Sequence, residues 1–259
     1  MLELGALSRA KGPANEDAYL VDAPRRLFAV FDGLGGSKQG GRAAKLAAGA
    51  IRAAYECHGE SDDVDSEATF LSIAVQGAGA LLAATLDDGL TTASVVKVCD
   101  GPDGGTTALI CNIGDSRVYR LTASGELWQC TLDDSIFGGD WALQRHLGEV
   151  IVPTGLLEYV YLAERHVIDR VLGEGLHAPN LWTVALEDDD VVLAVTDGVS
   201  DNLTFSELRE VVCASRDDPA RAARQVVDAA YARSHQASHA RAKVDDITAV
   251  VARVRADVV

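Results

Sequence analysis

The chain has 259 residues, 48% hydrophobic and 24% charged, a balance that excludes disorder, collagen and a disulfide scaffold and is long enough to bury a sizeable core in what reads as one domain. Its 39 acidic against 23 basic side chains give a formal charge of −16, a field that repels nucleic acid and anionic lipid, so neither is an expected partner. The cysteines Cys57, Cys99, Cys111, Cys130 and Cys213 include no CxxC pair and read as reduced core thiols. No basic segment leading into an apolar stretch opens the chain and no run of 18 apolar residues occurs, so the expected compartment is the cytoplasm, with no membrane partner.

In chain order, residues 26–32 form a short apolar run ending in Asp32 and a glycine cluster, a buried strand feeding a loop. Residues 42–57 place Leu46, Ala50, Ile51 and Ala54 on one helical face, and a second helix is expected over 66–86. Runs of β character follow at 93–99, 106–113, 117–121 and 126–131, with Gly114-Asp115 and Ser124-Gly125 as turn signals, which reads as an antiparallel meander. Helical spacing returns at 156–172, and 191–197 is another apolar strand that ends in an aspartate, Asp197. Thr204 and Glu207 form a capping box, Pro219 suits the first turn of a helix reaching about 235, and 247–254 is the last strand. The stretch 132–180, interrupted by glycines and prolines, reads as a mobile insertion. Helices cluster instead of alternating with strands, so the class is α+β, antiparallel sheet with helices on its faces.

Four aspartates stand at strand ends or turns: Asp32 in FDGLGG, Asp115 in IGDSR, Asp197 in VTDGVSD, and Asp245 beside Asp246 in VDDIT. Any one alone is explained as an ordinary Asp-Gly turn. If the rims converge, two bare carboxylates about 4 Å apart repel by roughly 4 kcal/mol at an effective dielectric of 20, so the cluster must hold protons or metal. Oxygen ligands alone point to Mg²⁺ or Mn²⁺.

The segments NEDAYLVD (15–22), FAVFDGLGGSKQGGRAA (28–44), TTALICNIGDSRVYRL (106–121), LTASGELWQCTLDDS (121–135), LAVTDGVSDNLT (193–204) and VDDITAVVARV (244–254) resemble, in order and over nearly the whole chain, the metal-dependent type-2C serine/threonine protein phosphatases. The resemblance implies a four-layer α/β/β/α sandwich of two antiparallel sheets flanked by helices. It also implies two Mn²⁺ or Mg²⁺ ions sharing a hydroxide that attacks phosphoserine or phosphothreonine in line, without a phosphoenzyme. By motif position Asp32 would bridge both ions, Gly33 would offer its carbonyl, and Asp197 and Asp245 would complete the first. Glu16 and Asp17 would hold metal-bound waters, and Asp115 with Asp197 would form a weaker third site. The implied partner is a phosphorylated protein, a serine/threonine kinase or its targets among them.

The sequence departs from the family in three places. Gly12 stands where many members carry a phosphate-gripping arginine, which leaves Arg9 and Lys11 as candidates for that role or as surface charge. Asp246 replaces the usual asparagine, with tighter metal binding as one expected result. Leu34 stands where animal members place a histidine, so a metal-bound water would protonate the leaving alkoxide. The alternative function is a non-catalytic regulator of the same fold that binds phosphoprotein or metal, which the displaced arginine favours and intact Asp32, Asp197 and Asp245 oppose.

Three other signals are set aside. Cys111 and Arg117 satisfy C-x5-R, but Asp115 would put a carboxylate inside an anion-binding loop and 118–121 alternates as a strand. The glycines at 33, 35, 36, 40 and 41 do not make GxGxxG, and His235 with His239 lacks a third zinc ligand.

Overall fold

The computed structural model of the chain describes residues 1–34, 39–59, 63–101, 104–175 and 177–255. The N-terminal segment pairs as strand β1 (Leu2–Arg9), followed by β2 (Ala18–Asp22) and the wholly buried β3 (Leu27–Phe31). Helix α1 (Gly40–Cys57) buries Ala43, Ala44, Ala47, Ile51 and Tyr55, a stripe of mostly small side chains at helical spacing that lets it lie close to the sheet beneath. Helix α2 (Val64–Thr85) starts at Asp63, whose carboxylate accepts from the Ser66 N–H. By length and composition alone α2 could cross a membrane, with a mean hydropathy of 1.5. Its apolarity has a local cause, because Leu71, Val75, Ala78 and Leu82 are buried in the cluster that also holds Ala47 and Ile51 of α1.

Then come β4 (Ala93–Asp100), β5 (Thr106–Ile113), β6 (Arg117–Leu121), β7 (Leu127–Gln129), α3 (Trp141–Gly148), α4 (Leu156–Glu164), β8 (Asn180–Leu186), β9 (Val191–Val195), the single turn α5 (Asp197–Ser200), α6 (Phe205–Cys213), α7 (Pro219–Ser234) and β10 (Ile247–Val254). The strands form two five-stranded sheets, β1-β10-β9-β6-β7 and β2-β3-β4-β5-β8, antiparallel throughout. Three apolar clusters fix four layers: one joins α1 and α2 to the second sheet, one joins α6 and α7 to the first, and one, with Phe28, Val30, Val96, Val192, Ala194 and Val250, fills the space between the sheets. The α/β/β/α sandwich expected from the resemblance is the observed architecture.

The meander is corrected. β4 pairs with β5 and β6 with β7, but β5 and β6 lie in different sheets. The chain crosses between them at Gly114, whose φ of +99° is open to glycine. The helix expected over 156–172 ends at Glu164, and the residues beyond it form isolated bridges, Ile168 to Ser135 and Leu172 to Thr91. Strand β8 falls at the edge of the stretch read as irregular. Within 132–180, Phe137, Leu147 and Tyr161 form a small core of their own.

The antiparallel pairing brings the C-terminal ends of β3, β5 and β9 and the N-terminal ends of β2, β4, β6 and β10 to one end of the sandwich. On the outer face of the first sheet, α7 is seated directly on β1. A Cβ on Gly5 would lie 2.3 Å from the Ala220 nitrogen. Gly5→Ala is therefore expected to lower the unfolding free energy by roughly 1–3 kcal/mol through overpacking, read as a reduced urea midpoint at unchanged slope. An unaltered midpoint would show that α7 does not need this close approach.

Candidate metal and phosphate site

Asp32 leaves β3 on a fixed backbone. Its N–H donates to Thr92 Oγ1 (3.0 Å), and its carbonyl accepts from the Thr92 N–H (2.8 Å) and from Thr91 Oγ1 (2.8 Å). The glycine after each strand-end aspartate is required by packing. A Cβ on Gly33 would lie 2.3 Å from the Gly40 carbonyl and 2.6 Å from that of Glu16, and one on Gly198 would lie 1.9 Å from the Asp246 carbonyl oxygen. Neither glycine has a positive φ, so close backbone approach, not left-handed geometry, calls for glycine at both positions. These contacts pull the 15–17 segment, the start of α1 and the approach to β10 onto the ends of β3 and β9.

The carboxylates converge. Burial, then the neighbouring charges of Asp197 and Asp17, hold Asp32 well above the usual carboxylate range. Like charges this close disfavour ionisation of both. Asp115 is pushed well up by burial and by Asp197. Asp197 is raised by burial despite the nearby Lys243 ammonium, with Asp245 and Asp201 adding to the rise. Asp17 accepts at Oδ2 from Thr196 Oγ1 (2.9 Å) and Thr248 Oγ1 (2.6 Å); burial nonetheless pushes it up to about 8, with Asp197 and Asp246 contributing. Its Oδ1, and Oδ1 of Asp197, are buried without a hydrogen-bond partner. Orphaned carboxylate oxygens in a pack of like charges are what a hard cation satisfies, so the donor set fits a divalent ion.

Among the described residues, two ammonium groups stand in this cluster. Lys243 Nζ donates to Asp197 Oδ2 and to Asp201 Oδ2 (2.8 Å) and lies 3.2 Å from Asp245 Oδ2. Burial lowers its pKa, but the three carboxylates outweigh burial and hold it well above the ordinary lysine value. Lys11 Nζ lies 3.1 Å from Asp245 and 3.3 Å from Glu16 and is raised in the same way against its burial. Among the described residues no three His, Cys, Asp or Glu side chains close on a common point as ligands do; the oxygens of Asp197, Asp201 and Asp245 close on an ammonium instead.

Of the residues singled out from sequence, Asp17, Asp32, Gly33, Asp115, Asp197, Asp245, Glu16 and Lys11 all lie at this rim. Arg9 does not join them: it pairs with Asp228 on α7 (2.8 Å) and its guanidinium lies over the Tyr231 ring. Asp246, expected from the sequence to strengthen metal binding, is a clamp. Its Oδ1 accepts from the Lys11 N–H (2.6 Å) and its Oδ2 from the Glu16 N–H (2.8 Å), at 1% exposure. Sequence reasoning misses Asp201 and Lys243, although VTDGVSD and KVDD contain both. The cysteine reading fails in the structure as well. Burial pushes the Cys111 thiol up to about 12, and Arg117 is held by Asp133 through Nε (2.9 Å) and Nη2 (2.6 Å).

No protein-family model matches the sequence, and no curated protein matches it either. Solved structures do. The PPM Ser-Thr phosphatase MsPP from Mycobacterium smegmatis, in complex with cacodylate, is 27% identical over 97% of this chain and 98% of its own, at a TM-score of 0.75. The catalytic domain of the serine/threonine protein phosphatase PstP, in complex with two manganese ions, is 25% identical over 98% and 99%, at 0.74. The serine/threonine phosphatase Stp1 from Staphylococcus aureus is 21% identical over 99% and 96%, at 0.77.

The clamp and the cluster can each be tested. Asp246→Asn replaces one acceptor oxygen by an NH₂ that faces a backbone donor, so stability is expected to fall by about 1–3 kcal/mol; an equal or higher urea midpoint would refute the clamp. For Asp17 the folded-state value near 8 lies above the ordinary 3.8. Between those values only the folded chain holds the proton, so its stabilising contribution is complete at acid pH and is lost as pH rises toward 8. The metal-free wild type is therefore expected to lose thermal stability between about pH 5 and 8 more steeply than Asp17→Asn, and parallel slopes would contradict the assignment.

Proposed function

We propose that this chain, similar over nearly its whole length to bacterial PPM-type Ser/Thr phosphatases, is itself a metal-dependent phosphatase acting on phosphoserine or phosphothreonine in proteins. The observation that carries this reading is the converging carboxylate cluster with two buried oxygens left unpaired. Asp32, the Gly33 carbonyl, Asp197 and Asp245 would hold two Mn²⁺ or Mg²⁺ ions, with Glu16 and Asp17 acting through water and Asp115 with Asp197 serving a weaker third. When bound, such ions supply hydroxide at neutral pH and neutralise charge on the phosphoryl group.

The protein's own residues do the rest. Thr196 and Thr248 fix the orientation of Asp17, leaving its other oxygen directed into the cluster. Because burial and neighbouring charge raise Asp32 and Asp197, cation binding there would be coupled to proton release. Lys11, at 34% side-chain exposure, is the cation of the first motif that reaches the rim, so it takes the phosphate-contacting role that Gly12 leaves open. A second reading, a non-catalytic regulator of the same fold, is favoured by the engagement of both lysines with the ligand carboxylates.

Hydrolysis of p-nitrophenyl phosphate and of a phosphothreonine peptide separates the two. The expected result is turnover that requires Mn²⁺ or Mg²⁺, stops in excess chelator and leaves no phosphoenzyme. Asp32→Asn and Asp197→Asn are expected to lose more than the roughly 10–100-fold typical of outer-shell substitutions, while Cys111→Ser retains nearly the wild-type rate. Absence of metal-stimulated turnover in a folded protein that binds metal would select the regulator reading.

A further inference from the structure

The Lys243 ammonium is the most closely surrounded cation at the rim. An ammonium has three N–H donors, and three carboxylates, Asp197, Asp201 and Asp245, lie around this one. Its side chain is 21% exposed. Its backbone is pinned on both sides by Asn202, which accepts from the Lys243 N–H at Oδ1 (3.0 Å) and donates from Nδ2 to the Lys243 carbonyl (2.9 Å). Asn202 also donates to the Gly198 carbonyl (2.9 Å), so the turn that carries Asp197 and the strand approach that carries Lys243 are one hydrogen-bonded unit. Only the aliphatic stem of Lys243 is free to move.

We propose that Lys243 is an internal counter-cation: it occupies oxygens of Asp197, Asp201 and Asp245 in the metal-free protein and competes with a divalent ion for them. The inference rests on the reading that Asp197 and Asp245 are metal ligands. Without a cation, three carboxylates held by β9, α5 and the entry to β10 would face one another with nothing between them. The ammonium satisfies them from within the chain, and the buried, unpartnered Oδ1 of Asp197 marks the donor capacity that one ammonium leaves unused. A divalent ion carries twice the charge but must break these charge-assisted contacts and send the lysine head outward. Metal uptake at this end of the cluster is thereby set to a higher threshold than the carboxylates alone would give. A phosphate-binding role for Lys243 in the metal-free protein is excluded by the same geometry, since its donors face carboxylates.

The test is Mn²⁺ binding to the metal-free full chain by titration calorimetry, together with thermal melts, for wild type, Lys243→Met and Lys243→Gln. Met keeps the stem and removes the charge; Gln keeps a donor for one carboxylate. Each broken charge-assisted hydrogen bond is worth on the order of tenfold in an equilibrium constant. Lys243→Met is therefore expected to bind Mn²⁺ about tenfold more tightly or with one additional ion, to melt lower than wild type without metal, and to gain more in melting temperature when Mn²⁺ is added. Lys243→Gln is expected to fall between. A variant that folds only with Mn²⁺ supports the counter-cation equally, since the ion then does what the ammonium did. Equal stoichiometry and affinity in wild type and Lys243→Met would overturn the counter-cation while leaving the metal site intact. Weaker binding in Lys243→Met, or failure of both variants to fold even with Mn²⁺, would also overturn it, making the lysine a structural support. No Mn²⁺ binding by wild type or either variant would overturn the metal reading and this inference with it.

Discussion

Like charge gathered at one end of a sandwich is the constraint on which the rest of this structure depends. The strand ends present Asp17, Asp32, Asp115, Asp197, Asp245 and Asp246 within one rim, and burial removes the water that would screen them. The fold answers with three devices. Burial and mutual repulsion hold Asp32, Asp115 and Asp197 toward their protonated forms. Neutral donors satisfy Asp17 through two threonines and Asp246 through two backbone N–H groups. Cations finish the work, with Lys11 and Lys243 at the centre and Arg165 beside Asp201 (3.4 Å). Each device lowers the cost of holding the carboxylates together, and none satisfies the free Oδ1 atoms of Asp17 and Asp197.

The segment between β7 and β8 is tied to this rim by buried guanidinium groups. Arg241, fully buried, donates to the carbonyls of Leu147 (3.3 Å) and Val150 (3.2 Å) in that segment and to those of Ser200 (2.6 Å) and Leu203 (3.3 Å) at the end of α5. Arg165, in the segment itself, donates to the carbonyls of Asp201 (3.2 Å) and Arg241 (3.1 Å). A guanidinium suits this joint because its planar fork reaches several carbonyls at once, which an ammonium on a flexible stem does not. The position of α3 and the geometry of the Asp197–Asp201 turn are therefore mechanically linked.

What can be read from the sequence is what local pattern encodes. The apolar runs ending in Asp32 and Asp197, the Thr204–Glu207 capping box, Pro219 at the start of α7 and the last strand all stand where periodicity puts them. Strand β8 escapes that reading because only Trp182, Val184 and Leu186 alternate inward on an edge strand that follows a proline-broken stretch. The crossing at Gly114 reads as a hairpin because a tight turn looks alike whether it joins neighbours or changes sheet. Lys243 is passed over for a related reason. Its partners Asp197 and Asp201 lie 46 and 42 residues away, and a lysine beside an acidic pair reads as solvated charge until the sheet brings the other carboxylates to it.

The same charge logic bears on how a phosphorylated protein could approach under the proposed function. A chain of formal charge −16 repels a phosphate dianion at long range, and the two lysines described at the rim, Lys11 and Lys243, are engaged with carboxylates. Arg9, the other basic side chain of the first motif region, is turned to Asp228 and Tyr231 on α7. Under the proposed function, attraction for the phosphoryl group would come chiefly from divalent charge, whose arrival would weaken the hold of Glu16 and Asp245 on Lys11. Lys11 would then be the cation of the first motif placed to meet the phosphate, and phosphate recognition would follow from metal binding and not from a separate, preformed arginine contact.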